Sequence, residues 1–190
     1  MPRETKKPEI KQIVVDEDSP LFERKGMFHK KFASDFRQIR YYTLLIVQKA
    51  PPEIKEINLL EQQISELIKN AVKHGNKKDK RKSVEVWYSF DRSSARLIVQ
   101  DEGKGFRKLE AWNEFNRKRT ECFLRQDFEA MADFVSFITP ESDENDSGNA
   151  LFAAVEYWNG GVIFNRRRNA VAVAKYFRQR RRHGIELAAT

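Results

Sequence analysis

Glu66, Asn70 and His74 stand four residues apart inside a run, 57–74, whose apolar residues recur at helical spacing. At about 100° per residue they form one stripe. It follows the edge of an apolar arc made by Ile57, Leu60, Ile64, Leu67, Ile68, Ala71 and Val72. Groups at the edge of a buried face can reach into a cleft. An Asn side chain offers an oxygen to a hard cation such as Mg²⁺, which prefers oxygen ligands and keeps several waters. A Glu one turn earlier can orient a nucleophile or take its proton. Lys73 adds a cation to the same turn, and Gly75-Asn76 reads as the helix stop. Taken alone, Glu-x-x-x-Asn is an ordinary helix edge more often than a site.

Two further features follow in order. Asp101-Glu102-Gly103-Lys104-Gly105-Phe106 comes directly after an alternating run that reads as a strand. An Asp at a strand end, with glycines two and four residues on, gives a carboxylate acceptor and a backbone that can approach a ligand. Such a carboxylate could accept the exocyclic amine of adenine and so reject guanine; the plainer reading is a glycine-containing turn. Ser147-Gly148-Asn149-Ala150-Leu151 then opens a helix, where free amides and the helix dipole favour phosphate. Its plainer reading is a helix N-cap.

The elements that must hold these residues can be read from periodicity. Residues 10–15 suggest a first strand, and 16–20 break it. Phe32, Phe36, Ile39, Leu44 and Val47 predict an amphipathic helix over 29–48, ended by Pro51-Pro52. Residues 84–90 and 95–101 alternate and predict an antiparallel hairpin. Residues 106–147, about 40 positions, exceed ordinary loop length and should hold helices or a functional lid. Within them 121–137 has near-helical spacing and 140–147 is acidic and turn-like. A helix is expected from Gly148 to Trp158, then strands at 162–165 and 170–177. The order predicts an α+β fold, a two-layer sandwich with helices on one face of a mostly antiparallel sheet. The expected organisation is an N-terminal segment 1–27 with a first strand, a domain over 28–177 with its lid at 106–147, and a basic tail at 178–190.

Composition narrows the class. The chain has 190 residues, 40% hydrophobic and 34% charged, with a net charge of +8. No run approaches the roughly 18 apolar residues of a spanning helix, and the charged start has no apolar stretch behind it. The single cysteine, Cys122, allows no intrachain disulfide, which suits a cytoplasmic protein. Basic clusters at 77–82, 166–168 and 178–182 favour acidic partners such as nucleotides, nucleic acid or an acidic protein face.

The three motifs, in this order, resemble the Bergerat ATPase family, which includes gyrase, histidine kinases and the anti-sigma serine kinases. The resemblance spans roughly 28–177. The short length, the acid in Ser65-Glu66 and the His74-Gly75 ending favour the anti-sigma kinase branch. No phosphoacceptor-histidine segment of the two-component type is evident; His29 lacks the expected acidic neighbour. The resemblance implies ATP and Mg²⁺ as cofactors. Asn70 would hold Mg²⁺, and Glu66 would be the general base that activates a protein serine. Lys73 and His74 would lie near the phosphates or ribose. Asp101 would bind the adenine amine, with Gly103 and Gly105 shaping that pocket. Gly148 and Ala150 would form the phosphate end of the lid. The implied partner is a sigma factor or a STAS-type anti-sigma-factor antagonist; a homodimer is compatible, and no membrane is involved.

The sequence departs from the family at two places. A second glycine is usual where Ala150 stands, and Gly-Thr is usual where Asn169-Ala170 stands. Asp143-Glu144, near the phosphate end, is unfavourable for a polyanion unless the lid holds it away. The two departures bear on turnover more than on nucleotide binding. They keep open a catalytically degenerate binding module of the same fold. A nucleic-acid-binding role through 166–168 and 178–182 is a weaker alternative, because Phe164, Tyr176 and Phe177 sit on strands that should face a core.

Overall fold

A computed structural model describes residues 10–138 and 148–177. Six strands form one sheet in the order β1-β5-β6-β4-β3-β2. They are β1 (Val14–Val15), β2 (Phe28–Ala33), β3 (Ser83–Phe90), β4 (Ser94–Gln100), β5 (Gly161–Phe164) and β6 (Ala170–Tyr176). Neighbouring strands are antiparallel except β1, which runs parallel to β5. The α-helices among the described residues are α1 (Ile39–Val47), α2 (Ile57–Asn70), α3 (Leu109–Arg125), α4 (Phe128–Met131) and α5 (Ala150–Tyr157). This is a mixed fold with an open, mostly antiparallel sheet, as the element order predicts. None of these helices is long and apolar enough to cross a membrane.

Strand alternation sends Val84, Val86 and Tyr88 of β3, and Ala95, Leu97 and Val99 of β4, to one face. There they meet Leu60, Ile64, Ile68 and Val72 of the long helical run, all fully buried, together with residues of α1 and α5. The reverse face is also covered at its centre. Ile98, Ala172 and Ala174 are fully buried there. A 3₁₀ turn at Pro20–Phe22 lies across β4 and β6, and Arg96 Nη2 donates to the carbonyls of Pro20 and Glu23, each at 3.0 Å. The alanines of β6 leave room for that close approach.

Two helix expectations change. The helix predicted over 29–48 is instead strand β2, a 3₁₀ turn and α1. Phe28, Lys30 and Phe32 pair with Tyr88, Val86 and Val84, so their period is two. Asp35 marks the change: its Oδ1 accepts from Arg37 N at 3.1 Å and caps the 3₁₀ turn. Lys80 beside it holds the Asp35 carboxyl down at about 2. In 106–147 the main helix is α3, which begins at Leu109 rather than near 121. Gln126 in the left-handed region (φ 58°) ends it, and Asp127 caps α4.

The first strand is short, and α3 holds the chain before it. Asn113 donates from Nδ2 to Ile13 O at 2.9 Å and accepts at Oδ1 from Ile13 N at 3.0 Å. Asn116 Nδ2 donates to Lys11 O at 2.8 Å. The two side chains act as a partner strand would. Trp112, fully buried, anchors the same helix against Phe152 of α5. The readings made on 1–9, 140–147 and 178–190, including Asp143-Glu144 and the basic tail, lie outside the described residues.

Candidate functional site

α2 does not end as a plain α-helix. Residues Ala71–Gly75 form a π-helical turn, closed by Asn76 N donating to Ala71 O at 2.8 Å. A π-turn carries one extra residue, and such turns are frequent at functional sites. The extra residue rotates His74 off the line through Glu66 and Asn70, so the stripe drawn at constant helical spacing stops at Asn70. It also explains why Ala71, Val72 and Lys73 are buried in succession, with Lys73 at 7% exposure.

The turn delivers Gly75 to the second motif. A Cβ built on Gly75 would lie 2.3 Å from Asp101 Cγ, and one on Gly103 would lie 2.2 Å from Gly75 O. Two glycines from distant parts of the chain thus make room for one carboxylate. Gly103 N donates to Asp101 Oδ1 at 2.7 Å. Gly105, at φ +81°, is pressed against Arg167 O, where a side chain would collide at 2.0 Å. The 103–106 loop is thereby held between the end of α2 and the 165–169 turn, where Phe106 N donates to Arg168 O at 2.9 Å.

Burial pushes the Asp101 carboxyl up to about 6, against the Gly103 N–H and the positive charges of Lys82 and Arg167. A carboxyl raised by desolvation, with one backbone donor, has acceptor capacity left for a ligand. Glu66 and Asn70 lie on α2, both half-buried. The Glu66 oxygens sit 3.3 and 3.4 Å from Lys69 Nζ, a partly exposed pair that contributes little to stability. The Asn70 amide makes no hydrogen bond among the described residues. The third motif opens α5. Gly148, at φ +67°, has the backbone of Phe137 as its nearest neighbour, and Phe137 N donates to Gly148 O at 3.2 Å. Ala150 begins α5, which packs on α2.

Three asparagines that the motif reading left without a role surround Asp101. Asn76, fully buried, donates from Nδ2 to Ser83 O and accepts at Oδ1 from Glu102 N, both at 2.8 Å. Asn169 Nδ2 donates to Asp101 O at 2.7 Å. Asn165 accepts from Asn169 N and donates to Asn169 Oδ1, each at 3.0 Å. In the sequence Asn76 looks like a helix stop and Asn169 like a turn residue. Their partners on the Asp101 turn are 26 and 68 positions away, and no local pattern signals them.

Two cavities lie elsewhere. One of about 440 Å³ is at the α1–α2 junction, among Leu44, Val47, Pro51, Pro52, Ile54 and Ile57, and holds no motif residue. Another of about 360 Å³ opens behind Asn169, lined with Arg24, Gln100 and Arg167 among others. Gln100 points to the opposite face from Asp101, so this cavity does not contain the carboxylate. For chemistry, the junction of Gly75, Asp101 and Gly103 outweighs either cavity, because neither cavity is lined by residues of two motifs.

Among the described residues no group of three or more His, Cys, Asp or Glu side chains could hold a metal. Mg²⁺ needs no such cage when phosphates supply most of its ligands. A single unengaged amide oxygen, such as that of Asn70, fits a cation carried in with a nucleotide. Compared with protein-family models and with curated proteins, the chain shows no match.

Gly75→Ala tests the junction directly. The added methyl overlaps the Asp101 carboxylate, so that side chain or the turn must move. The expected loss is about 1–3 kcal/mol of stability by chemical denaturation. Unchanged stability would mean that the two motifs do not touch.

Proposed function

We propose that this chain binds Mg²⁺-ATP against α2 and the Asp101 turn, and serves as a regulatory serine/threonine-protein kinase of the anti-sigma type. The observation that carries this reading is the packing of the Asp101 carboxylate against Gly75, at the end of the helix that bears Glu66 and Asn70. One carboxylate with spare acceptor capacity accounts for adenine recognition. The preceding turns of the same helix then carry the groups suited to phosphates and to a hydroxyl nucleophile.

In this reading Asp101 accepts from the adenine amine, and Gly103 and Gly105 keep the backbone close. Asn70 holds the cation, and Lys73 and His74 lie toward the phosphates or ribose. The amides at Gly148 and Ala150 meet the phosphate end. Mg²⁺, when bound, neutralises charge on the phosphates. A serine hydroxyl of the partner attacks the γ-phosphorus, Glu66 takes its proton, and the bond to the β-phosphate oxygen breaks to release ADP. Such transfer depends mostly on positioning and charge stabilisation. The partner would be a sigma factor or a STAS-type antagonist, with the encounter in the cytoplasm.

A second reading, a binding module of the same fold without turnover, has one specific support. Ala170 stands where the resembled family carries a hydroxyl, and the amide of Asn169 beside it is spent on Asp101 O and Asn165. It is not free to contact a nucleotide.

Nucleotide binding with and without Mg²⁺, in wild type and Asn70→Ala, tests the common part of both readings. The variant should fold normally, because Asn70 sits at a helix edge and its side chain makes no hydrogen bond among the described residues. Its Mg²⁺-dependent affinity should fall about tenfold, the scale of one hydrogen bond to a charged group. Equal affinities at saturating Mg²⁺ would remove Asn70 from the site.

A further inference from the structure

Two buried asparagines grip one peptide unit. The Asp101 carbonyl accepts from Asn169 Nδ2 at 2.7 Å, and the next N–H, that of Glu102, donates to Asn76 Oδ1 at 2.8 Å. The carbonyl and the N–H belong to the same planar group. Asn76 comes from the end of the α2 run and Asn169 from the turn before β6, 26 and 68 positions away from their respective partners. Both are nearly inaccessible, at 0% and 5% exposure. Buried amides are tolerated only when satisfied, and both are. Asn76 also holds Ser83 O, Asn169 is braced by Asn165, and Asp101 N donates to Asn169 O at 2.9 Å.

A peptide held at one end can still swing about the other. Held at both ends, from two different elements, it has one orientation. The Asp101 side chain leaves from the carbonyl end of that peptide, so the grip fixes where the side chain starts, and the Gly103 N–H on Oδ1 at 2.7 Å fixes where its carboxylate ends. Hydrogen bonds weaken steeply with misalignment, so this direction decides whether a base amine is recognised. Asn suits both positions because it carries donor and acceptor together; at residue 76 both are in use at once.

The geometry points to Asn76 and Asn169 as positioning residues for base recognition, which fix the 101–102 peptide and thereby aim the Asp101 carboxylate. This rests on the nucleotide-binding reading of the site.

The test compares ATP and GTP affinity in wild type, Asn76→Ala and Asn169→Ala, and follows the Asp101 carboxyl by NMR titration. Wild type should favour ATP by about tenfold or more, and each variant by about threefold or less. In each variant the Asp101 carboxyl should titrate closer to the ordinary carboxylate range, because a released turn lets it reach water. A variant that folds and keeps both the preference and the titration overturns the assignment. Should the variants fail to fold, hydrogen exchange in the wild type decides. The Glu102 side chain is exposed, yet its amide should exchange slowly because Asn76 holds the proton. Exchange as fast as in a free loop overturns the assignment. If wild type binds neither nucleotide, the ATP reading falls. The grip on the peptide is then judged by Glu102 exchange and Asp101 titration, neither of which needs a ligand.

Discussion

Glu66→Gln is expected to leave ATP affinity near the wild-type value and to lower phosphate transfer to a serine-bearing partner by about 10²–10⁴-fold. Gln keeps the size of Glu and much of its hydrogen bonding but cannot take a proton. The fold should be indifferent, because Glu66 is half-buried and its only described polar partner is Lys69, an exposed-edge pair. A pull-down of the partner comes first, then incubation of the purified pair with labelled ATP. Label on the partner with wild type and almost none with Glu66→Gln fits the kinase. Tight ATP binding with no label from either protein would leave the binding module as the function.

Asp101→Asn should move stability and binding in opposite directions. The folded carboxyl is raised to about 6 by burial, above its ordinary 3.8. A raised carboxyl favours the folded state fully below the unfolded value and loses that contribution as pH rises through the folded one. Wild type should therefore lose stability between about pH 4 and pH 7 through this group. The neutral Asn variant should lack that loss and be about 1–3 kcal/mol more stable at pH 7–8. The difference should vanish below pH 4. ATP affinity should nevertheless fall about tenfold or more at pH 7, and the preference over GTP should go with it. Parallel melts across pH, with no crossing toward the wild type at low pH, would show that Asp101 is not strained by burial. GTP competing as well as ATP against wild type would remove the adenine pocket.

The legible parts of this chain are those where local period and burial agree. The 57–74 run keeps one apolar arc because one side of α2 faces a continuous core, and the 83–100 hairpin alternates because the two sheet faces differ in burial. The β2 strand was illegible for a physical reason. Phe32, Phe36 and Ile39 satisfy a helical period across a boundary that only Asp35 marks, and edge position lets Lys30 and Lys31 stand where a central strand would be apolar. At the site, Asp101, Gly103 and Gly105 were legible because glycine spacing reports backbone demands. Gly75 meeting Asp101 follows from a π-turn, which adds a residue without altering composition. Asn76 and Asn169 act on a peptide unit rather than a side chain, so nothing in their neighbourhood betrays them.

The clasp of α3 on the N-terminal segment sets a mechanical limit. A flap needs a hinge with few fastenings on the moving side. Swinging α3 outward would strip Asn113 from Ile13 and Asn116 from Lys11, pull Trp112 out of the core, and break the Glu110–Arg168 pair. Those fastenings run from the start of the helix through its first two turns, so that stretch belongs to the chassis. Phe115 in the same turns packs on Phe134 and Phe137, which carries the fastening past the left-handed bend at Gln126.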